Sequence, residues 1–306
     1  MILIITNKQD FTADFVIDKL NNRNIPYRRF NCEDISRTSY SFGSFNEYEF
    51  ELHKITTFES IWFRRTKLPD IDISNKSEKL YILNEYQSLL TNLFQVVKTK
   101  KWLSNPGDVY RAENKLYQLQ VAAMLKFKIP DTIVTNNRKD ITSFYYKHKK
   151  NIVIKPLFFS RISYPGKVNF IYTNKVKEEH ITNLKKYELT PAIFQEYIEK
   201  EYELRVTVVD GEVFSAKVDS QSNLITQIDW RKERLKFEKC TIPKELKAKC
   251  VKLVNDLGLS FGAIDIIKNK DGDYFFLEIN PNGQWAWIEF DTGLTISDKI
   301  IEFLTI

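Results

Sequence analysis

The chain holds 306 residues, with 46 Lys and Arg against 40 Asp and Glu, a formal charge of +6 and a hydrophobic fraction of 43%. That length exceeds one typical domain, and 22 Phe, 15 Tyr and 5 Trp exclude a disordered chain, while nine Gly and nine Pro exclude collagen-like or linker-dominated architecture. No run approaches eighteen apolar residues, which excludes a membrane-spanning helix of ordinary type.

The opening Met1-Ile-Leu-Ile-Ile-Thr6 is too short for the apolar core of a signal peptide and reads as a first strand, Ile2–Thr6. An amphipathic helix over 12–21, capped by Thr12, and a second strand, Tyr27–Asn31, complete a βαβ opening. Segments 39–45 and 47–53 alternate like a hairpin, and 60–64 is a further strand. Leu80, Leu83, Tyr86, Leu90, Phe94 and Val97 predict a long helix over 74–99. Ser104-Asn-Pro-Gly107 then breaks regular structure and sets a boundary at 105.

A helix from 113 carries Leu116, Leu119, Ala122, Ala123 and Leu125, and strands follow at 132–135, 152–155 and 169–173, with a helix at 142–148. The run 192–197 is β-prone, and strands 202–209 and 212–218 meet at the Asp210-Gly211 turn. A helix over 244–257 stops at Gly258, strands 261–268 and 273–280 meet at Asp271-Gly272, and a loop leads to a last helix over 297–304. The pattern is α/β (α+β) in three parts: 1–105, 106–198 and 199–306.

Charge is uneven along these parts. Residues 1–110 carry 15 basic and 14 acidic side chains, 111–200 carry 17 and 8, and 201–306 carry 14 and 18. A basic middle fits a polyphosphate ligand, nucleic acid or a solvated face. Cys32, Cys240 and Cys250 are too few and too scattered for a disulfide framework, which points to a reducing, cytoplasmic setting. His53, His148 and His180 lack metal-ligand spacing, so zinc and histidine-based chemistry are not expected.

Three groups of residues carry chemical meaning. Glu278 and Asn280 stand two apart on one strand face, and a neighbouring antiparallel strand adds Asp265, an oxygen-rich set suited to Mg²⁺ with nucleotide phosphates. Lys155 ends an apolar strand and needs an anion, and Lys115 opens a helix from which it could meet the same ligand; singly, each reads as a surface lysine. Gln195, Glu196, Tyr197 and Ile198 form a strand and bend that can face an adenine edge, with Glu203 for ribose hydroxyls and Arg205 on the same face for a phosphoryl group. In isolation, Glu203 and Arg205 read as a simple ion pair. Arg64 and Arg65 end a strand, either as a surface pair or facing an acidic substrate.

In order and approximate spacing, Lys115, Lys155, Gln195 to Ile198, Glu203-x-Arg205, Asp265 and Glu278-x-Asn280 resemble the ATP-grasp carboxylate ligases over about residues 105–290. The first block is similar to that family's N-terminal βαβ pre-grasp domain. More narrowly, Asn114-Lys-Leu-Tyr-Gln-Leu-Gln-Val-Ala122, Ile129-Pro-Asp-Thr-Ile-Val-Thr-Asn136, Ile228-Asp-Trp-Arg231 and Asn280-Pro-Asn-Gly-Gln-Trp285 resemble the microviridin-type peptide cyclases, whose products are graspetides.

The resemblance implies an ATP-grasp fold and an ATP-dependent ligase that phosphorylates Asp or Glu side chains of a ribosomal precursor peptide. Thr, Ser or Lys side chains then displace phosphate to close ester or amide links. It assigns Lys115 and Lys155 to the ATP phosphates, Gln195, Glu196, Tyr197 and Ile198 to adenine, Glu203 to ribose, and Asp265, Glu278 and Asn280 to two Mg²⁺ ions. Catalytic roles facing the acylphosphate and the acceptor peptide fall to Arg205, Lys217, Asp229 and Arg231, with Arg231 also a substrate contact, while Arg64 and Arg65 are candidate substrate contacts only from their place at a strand's end. It further implies a leader and an acidic core in the peptide, a homodimer, and neither nucleic acid nor membrane as partner. Phosphoryl transfer needs positioning and charge neutralisation, which two lysines, an arginine and a metal cluster supply without a histidine base. One departure is the Gly-poor stretch 158–166, where Ser160, Arg161, Ser163 and Lys167 are expected to contact phosphates in place of backbone amides. Two other readings stay open: a ligase adding amino acids to a protein or peptide end, and an ATP-binding partner protein without turnover.

Overall fold

The computed structural model describes residues 1–158, 161–164, 167–184 and 190–306, with the backbone alone at 161, 163, 164, 167 and 168. Ser160 and the Arg161, Ser163 and Lys167 side chains, expected at the phosphates, therefore lie outside the described residues.

The first block builds strands β1 (Ile2–Thr6) and β2 (Tyr27–Asn31) around helix α1 (Phe11–Asn22). The helix is capped by Asp10, two residues before the expected Thr12, because the Asp10 carboxylate reaches the N–H groups of Thr12 and Ala13 at 3.2 and 3.3 Å. Short strands β3 (Tyr40–Ser41) and β4 (Glu51–Leu52) pair antiparallel, and β5 (Thr57–Phe63) follows. Helix α2 (Lys76–Val96) ends three residues early, at β6 (Lys98–Leu103), a strand hidden by lysines that suit a sheet edge. These four longer strands form a parallel sheet ordered β2-β1-β5-β6.

Ser104-Asn-Pro-Gly107 turns out to start a helix: Asn105 caps α3 (Pro106–Ala112) and Asn114 caps α4 (Lys115–Met124). The central lobe then contributes β7 (Thr132–Ile133), α5 (Arg138–Lys147), β8 (Ile152–Pro156), the hairpin β9 (Arg161–Tyr164) and β10 (Lys167–Phe170), β11 (Asn174–Lys175), α6 (Glu178–Thr182) and β12 (Ala192–Glu196). Strands β11-β8-β12-β7 form its antiparallel sheet.

The last lobe has β13 (Lys200–Val209), β14 (Glu212–Val218), β15 (Glu238–Lys239), α7 (Lys244–Asp256), β16 (Phe261–Asn269), β17 (Tyr274–Asn280), α8 (Ala286–Thr292) and α9 (Ile296–Thr305). Asp210 and Gly211 both hold positive φ, 48° and 79°, as the tight hairpin turn requires. The antiparallel order is β15-β14-β13-β16-β17, which leaves β17 at an edge. Helix α8 stands where a loop is expected; its Trp- and Phe-rich sequence has no clean helical period.

Among the described residues, two of the three apolar cores are shared between the first block and the last lobe. In one, Leu3, Ile5 and Phe63 join Leu204, Val206 and Ile264. In the other, Ile2, Ile4 and Trp62 join Val209, Phe261, Ile300 and Leu304. The central lobe packs a smaller core of its own around Phe144, Ile152 and Phe194.

Candidate active site

One face of the C-terminal sheet changes character along its length. Val209, Phe261 and Ala263 pack into an apolar core at one end, whereas Glu203, Arg205, Asp265, Glu278 and Asn280 share that face at the other. Register places Arg205 beside Asp265 and Asp265 beside Glu278. The polar end is the floor of a cleft roofed by β8 and the 195–198 segment of the central lobe. Lys115, Lys155, Gln195, Glu196, Tyr197, Ile198, Glu203, Asp229, Arg231, Asp265, Glu278 and Asn280 line this single cleft, so most of the residues singled out from sequence converge.

Charge pairing organises the floor. Lys115 Nζ lies 3.0 Å from Glu278 Oε2 and donates to the Pro156 carbonyl at 3.2 Å. Arg205 Nη1 lies 3.1 Å from Asp265 Oδ1, and Asn280 Nδ2 is 3.4 Å from Asp265 Oδ2. Burial would raise the Glu278 carboxyl, yet Lys115, Lys155 and Arg231 hold it below the ordinary carboxylate range. Asp265 moves the other way: burial pushes its carboxyl up, with Arg205 opposing and Glu278 adding. Burial also brings the Lys155 ammonium down to about 8, although Glu278 opposes the shift.

Asp229 and Arg231 act as a unit. Arg231 Nε and Nη2 form a fork onto Asp229 at 2.8 and 2.6 Å, while Asp229 Oδ2 accepts the Thr173 main-chain N–H at 3.0 Å, joining the two lobes. At the hinge, Gln195 Nε2 donates to Thr132 Oγ1 at 2.9 Å, and Asn151 O accepts the Tyr197 N–H at 3.0 Å.

Four expected residues do not line the cleft: Arg205 reaches it only through Asp265, and Lys217, Arg64 and Arg65 lie elsewhere. Lys217 pairs across the ladder with Leu204, so strand parity puts it on the opposite face from Glu203 and Arg205, where it meets Glu238 at 3.4 Å. Arg64 is 1% exposed and holds buried Asp10, with Nε 3.1 Å from Oδ2. It also bonds Gly283 O and Gln284 Oε1, both at 3.5 Å, so it braces the loop after Asn280 instead of meeting a substrate. Gly283 packs so close to β16 that a β-carbon there would come within 2.7 Å of Ala263. Arg65 is exposed, and its charge opposes the burial that raises the Glu113 carboxyl.

Sequence reasoning missed Lys200, whose Nζ bonds Glu203 Oε1 at 2.9 Å and Ile228 O at 3.1 Å. Residues three apart on a strand normally face opposite ways, but the ladder shifts register between Lys200 and Tyr202 and brings the pair together. Trp230, which the sequence marks only as part of Ile228-Asp-Trp-Arg231 and without a role, places its ring 5.9 Å from the Arg205 guanidinium.

The donor set fits a magnesium nucleotide. Two carboxylates and an amide make an incomplete oxygen cage, and among the described residues no cluster of three His, Cys, Asp or Glu side chains could hold a metal alone. Mg²⁺ sites completed by phosphate oxygens and water have this form. Arg205 Nε is buried with no hydrogen-bond partner among the described residues, a donor left over for an anion. The cleft encloses about 180 Å³ and opens to solvent at its mouth.

An antiparallel sheet carrying this cluster beneath a lobe with a lysine-bearing strand and a hinge defines an ATP-grasp protein. The chain belongs to the family of the RimK-like ATP-grasp domain, which matches residues 112–304. Its structure is similar to that of a Chryseobacterium gregarium RiPP-associated ATP-grasp ligase in complex with ADP and a leader and core peptide. The TM-score is 0.87 at 27% identity, over 99% of this chain and 96% of that one. It is likewise similar to the macrocyclase MdnC of Microcystis aeruginosa MRC bound with precursor peptide MdnA, with TM-score 0.88, 27% identity and 99% of both chains covered. In sequence, it is 26% identical over 216 residues to the tetrahydromethanopterin:alpha-L-glutamate ligase of Methanocaldococcus jannaschii, covering 65% of this chain and 68% of that protein. It is 24% identical over 264 residues to N-acetylaspartylglutamate synthase A of Mus musculus, covering 82% of this chain but only 63% of that relative.

Proposed function

We propose that the chain is an ATP-dependent peptide macrocyclase. It activates Asp or Glu side chains of a ribosomal precursor peptide, and Thr, Ser or Lys side chains of the same peptide then close ester or amide links. The observation that carries this reading is the convergence of Lys115, Lys155, Arg231, Asp265, Glu278 and Asn280 at one cleft, with Arg205 bonded to Asp265 beneath it, in a chain that matches a peptide-bound RiPP-associated ATP-grasp ligase and a peptide-bound macrocyclase over 99% of its length, first block included. In this reading residues 1–105 are the pre-grasp domain, and 106–198 and 199–306 are the two lobes that hold the nucleotide.

Each side chain has a task that follows from its surroundings. Glu196 and Ile198 meet the adenine edge, and Glu203, held by Lys200, meets the ribose. Asp265, Glu278 and Asn280 would hold Mg²⁺, which would supply charge neutralisation for the phosphates. Lys115 and Lys155 bind the phosphates, and the nucleotide's negative charge together with the positive charge of a bound Mg²⁺ would match a floor already balanced between lysines and carboxylates. A peptide carboxylate oxygen bonds the γ-phosphorus as the bond to ADP breaks. The acceptor hydroxyl or amine then attacks the acyl carbon, loses its proton, and releases phosphate. Arg231, oriented by the Asp229 fork, stabilises the negative charge that builds up on the acyl and phosphoryl oxygens. A closed cleft protects the acylphosphate from water, and the Asp229 to Thr173 bond is one contact that keeps the lobes together.

The test is product mass after incubation with ATP, Mg²⁺ and a candidate Thr- and Glu- or Asp-rich precursor peptide. Cyclisation removes one water per link and adds no residue. Gain of an amino-acid residue mass would reject cyclisation and favour the second reading, end-on addition of amino acids, which likeness to the glutamate ligase supports. The three free cysteines and the demand for ATP suit the cytoplasm. Among the described residues no helix is long and apolar enough to cross a membrane.

A further inference from the structure

We propose that Gln118 is a positioning residue for this reaction: its carboxamide stands in for a missing neighbour strand beside β17 and so holds Glu278 and Asn280 against Lys115. The proposal rests on the ligase reading above and adds to it a residue without contact to nucleotide or peptide.

Strand β17 ends the sheet, and on its outer side the Phe276 N–H is met by Lys128 O at 2.8 Å in an isolated bridge, with no strand to carry the ladder on to Ile279. At Ile279, between the two candidate metal ligands, Gln118 supplies the partner. Its Nε2 donates to Ile279 O at 2.8 Å, and its Oε1 accepts the Ile279 N–H at 3.0 Å. The second Nε2 hydrogen goes to Ala112 O, at the end of α3, at 2.7 Å. Gln118 is 3% exposed, so these bonds are made out of reach of water.

The consequence for the site is geometric. Lys115 and Gln118 lie one turn apart on α4, and neighbouring positions of β17 take them: Gln118 grips the Ile279 backbone while Lys115 reaches the Glu278 carboxylate at 3.0 Å. The Ile279 side chain points into the apolar core, so Glu278 and Asn280 point the other way into the cleft. Fixing Ile279 therefore fixes both ligands and the lysine opposite them. Only a carboxamide of this length fits: a carboxylate cannot donate to two carbonyls, and Asn is a methylene too short.

The experiment compares wild type with Gln118→Met, which keeps the volume and removes the hydrogen bonds, and Gln118→Glu, which keeps the acceptor and removes the donors. ADP binding is titrated calorimetrically with and without Mg²⁺, beside urea unfolding. Metal-free ADP binding, which depends on the hinge, is expected to persist, while the gain in affinity on adding Mg²⁺ falls about 10- to 100-fold, as when a residue supporting metal ligands is removed. A purely structural role would lower the unfolding midpoint and leave the Mg²⁺-dependent gain intact; that result overturns the proposal. Amide exchange in the wild-type protein gives a reading that needs no folded variant. The Ile279 N–H must be protected despite its place on an edge strand, and fast exchange there would also overturn it. A wild type that fails to bind ADP even with Mg²⁺ would instead sink the ligase reading, and the proposal with it.

Discussion

Lys115 Nζ sits 3.0 Å from Glu278 Oε2, so the first residue of α4 and an edge-strand carboxylate balance one another across the cleft floor. The pair explains why Glu278 stays ionised at a depth where burial alone would protonate it. It also ties the lysine's position to the carboxylate's, and the two are expected to fail together.

Glu278→Gln keeps the shape of the side chain and removes its charge. Turnover is expected to fall at least about 100-fold, the scale of losing one preorganised electrostatic contact. Circular dichroism should report an unchanged fold, and activity at ordinary Mg²⁺ would refute the site.

Lys155 gives the site a signature in pH. Its ammonium, lowered to about 8 by burial, is half deprotonated near that pH, and phosphates favour the charged form. ATP binding should therefore take up protons near pH 8, and affinity should decline as pH rises through that value. Calorimetry in buffers of different ionisation enthalpy measures the uptake. Lys155→Arg, charged throughout, should flatten the profile.

Strand parity separates two cations that look alike in sequence. Arg231→Ala is expected to reduce turnover by about 100-fold or more while leaving ADP affinity near wild type. Lys217→Ala, on the far face of the sheet, should leave both unchanged. Equal losses in the two variants would contradict the geometry.

Asp10 caps α1 and holds Arg64, so Asp10→Asn leaves a buried guanidinium without its counter-charge. A loss of about 3–5 kcal/mol in urea unfolding is expected. Burial would raise the Asp10 carboxyl, but the Arg64 charge and hydrogen bonds bring it below its ordinary value. Its stabilising effect is thus present at neutral pH and disappears as pH falls through that lowered value. Stability of the variant should show less of this acid dependence.

Much of the cleft was legible because its parts obey local rules. The spacing Glu278-x-Asn280 and the period of two put ligands on one face, and the Asp-Gly turns located the hairpins. What could not be read depends on partners distant in the chain. Arg64 looks like a surface arginine until Asp10 and Gly283 close around it, and Lys200 joins Glu203 only through a register shift. Gln118 has no local signal, since its role is set by a strand 161 residues away. Likewise β6 and α8 carry lysines and aromatics that local periodicity reads as helix end and loop.

The two shared cores bear on how the protein is made. Ser60 Oγ in β5 donates to Leu304 O in α9 at 2.7 Å, and Ile2 and Ile4 share their core with Ile300 and Leu304. Strands β1 and β5 are synthesised before residues 296–305, so the face bearing Ile2, Ile4 and Trp62, partly covered by Ala13, Val16, Ile17 and Leu20 of α1, is completed only when α9 emerges. Between those events the central lobe can settle around its own core. The core around β1 is thus closed only by α9, and nascent chains stopped before α9 should be prime clients for chaperones.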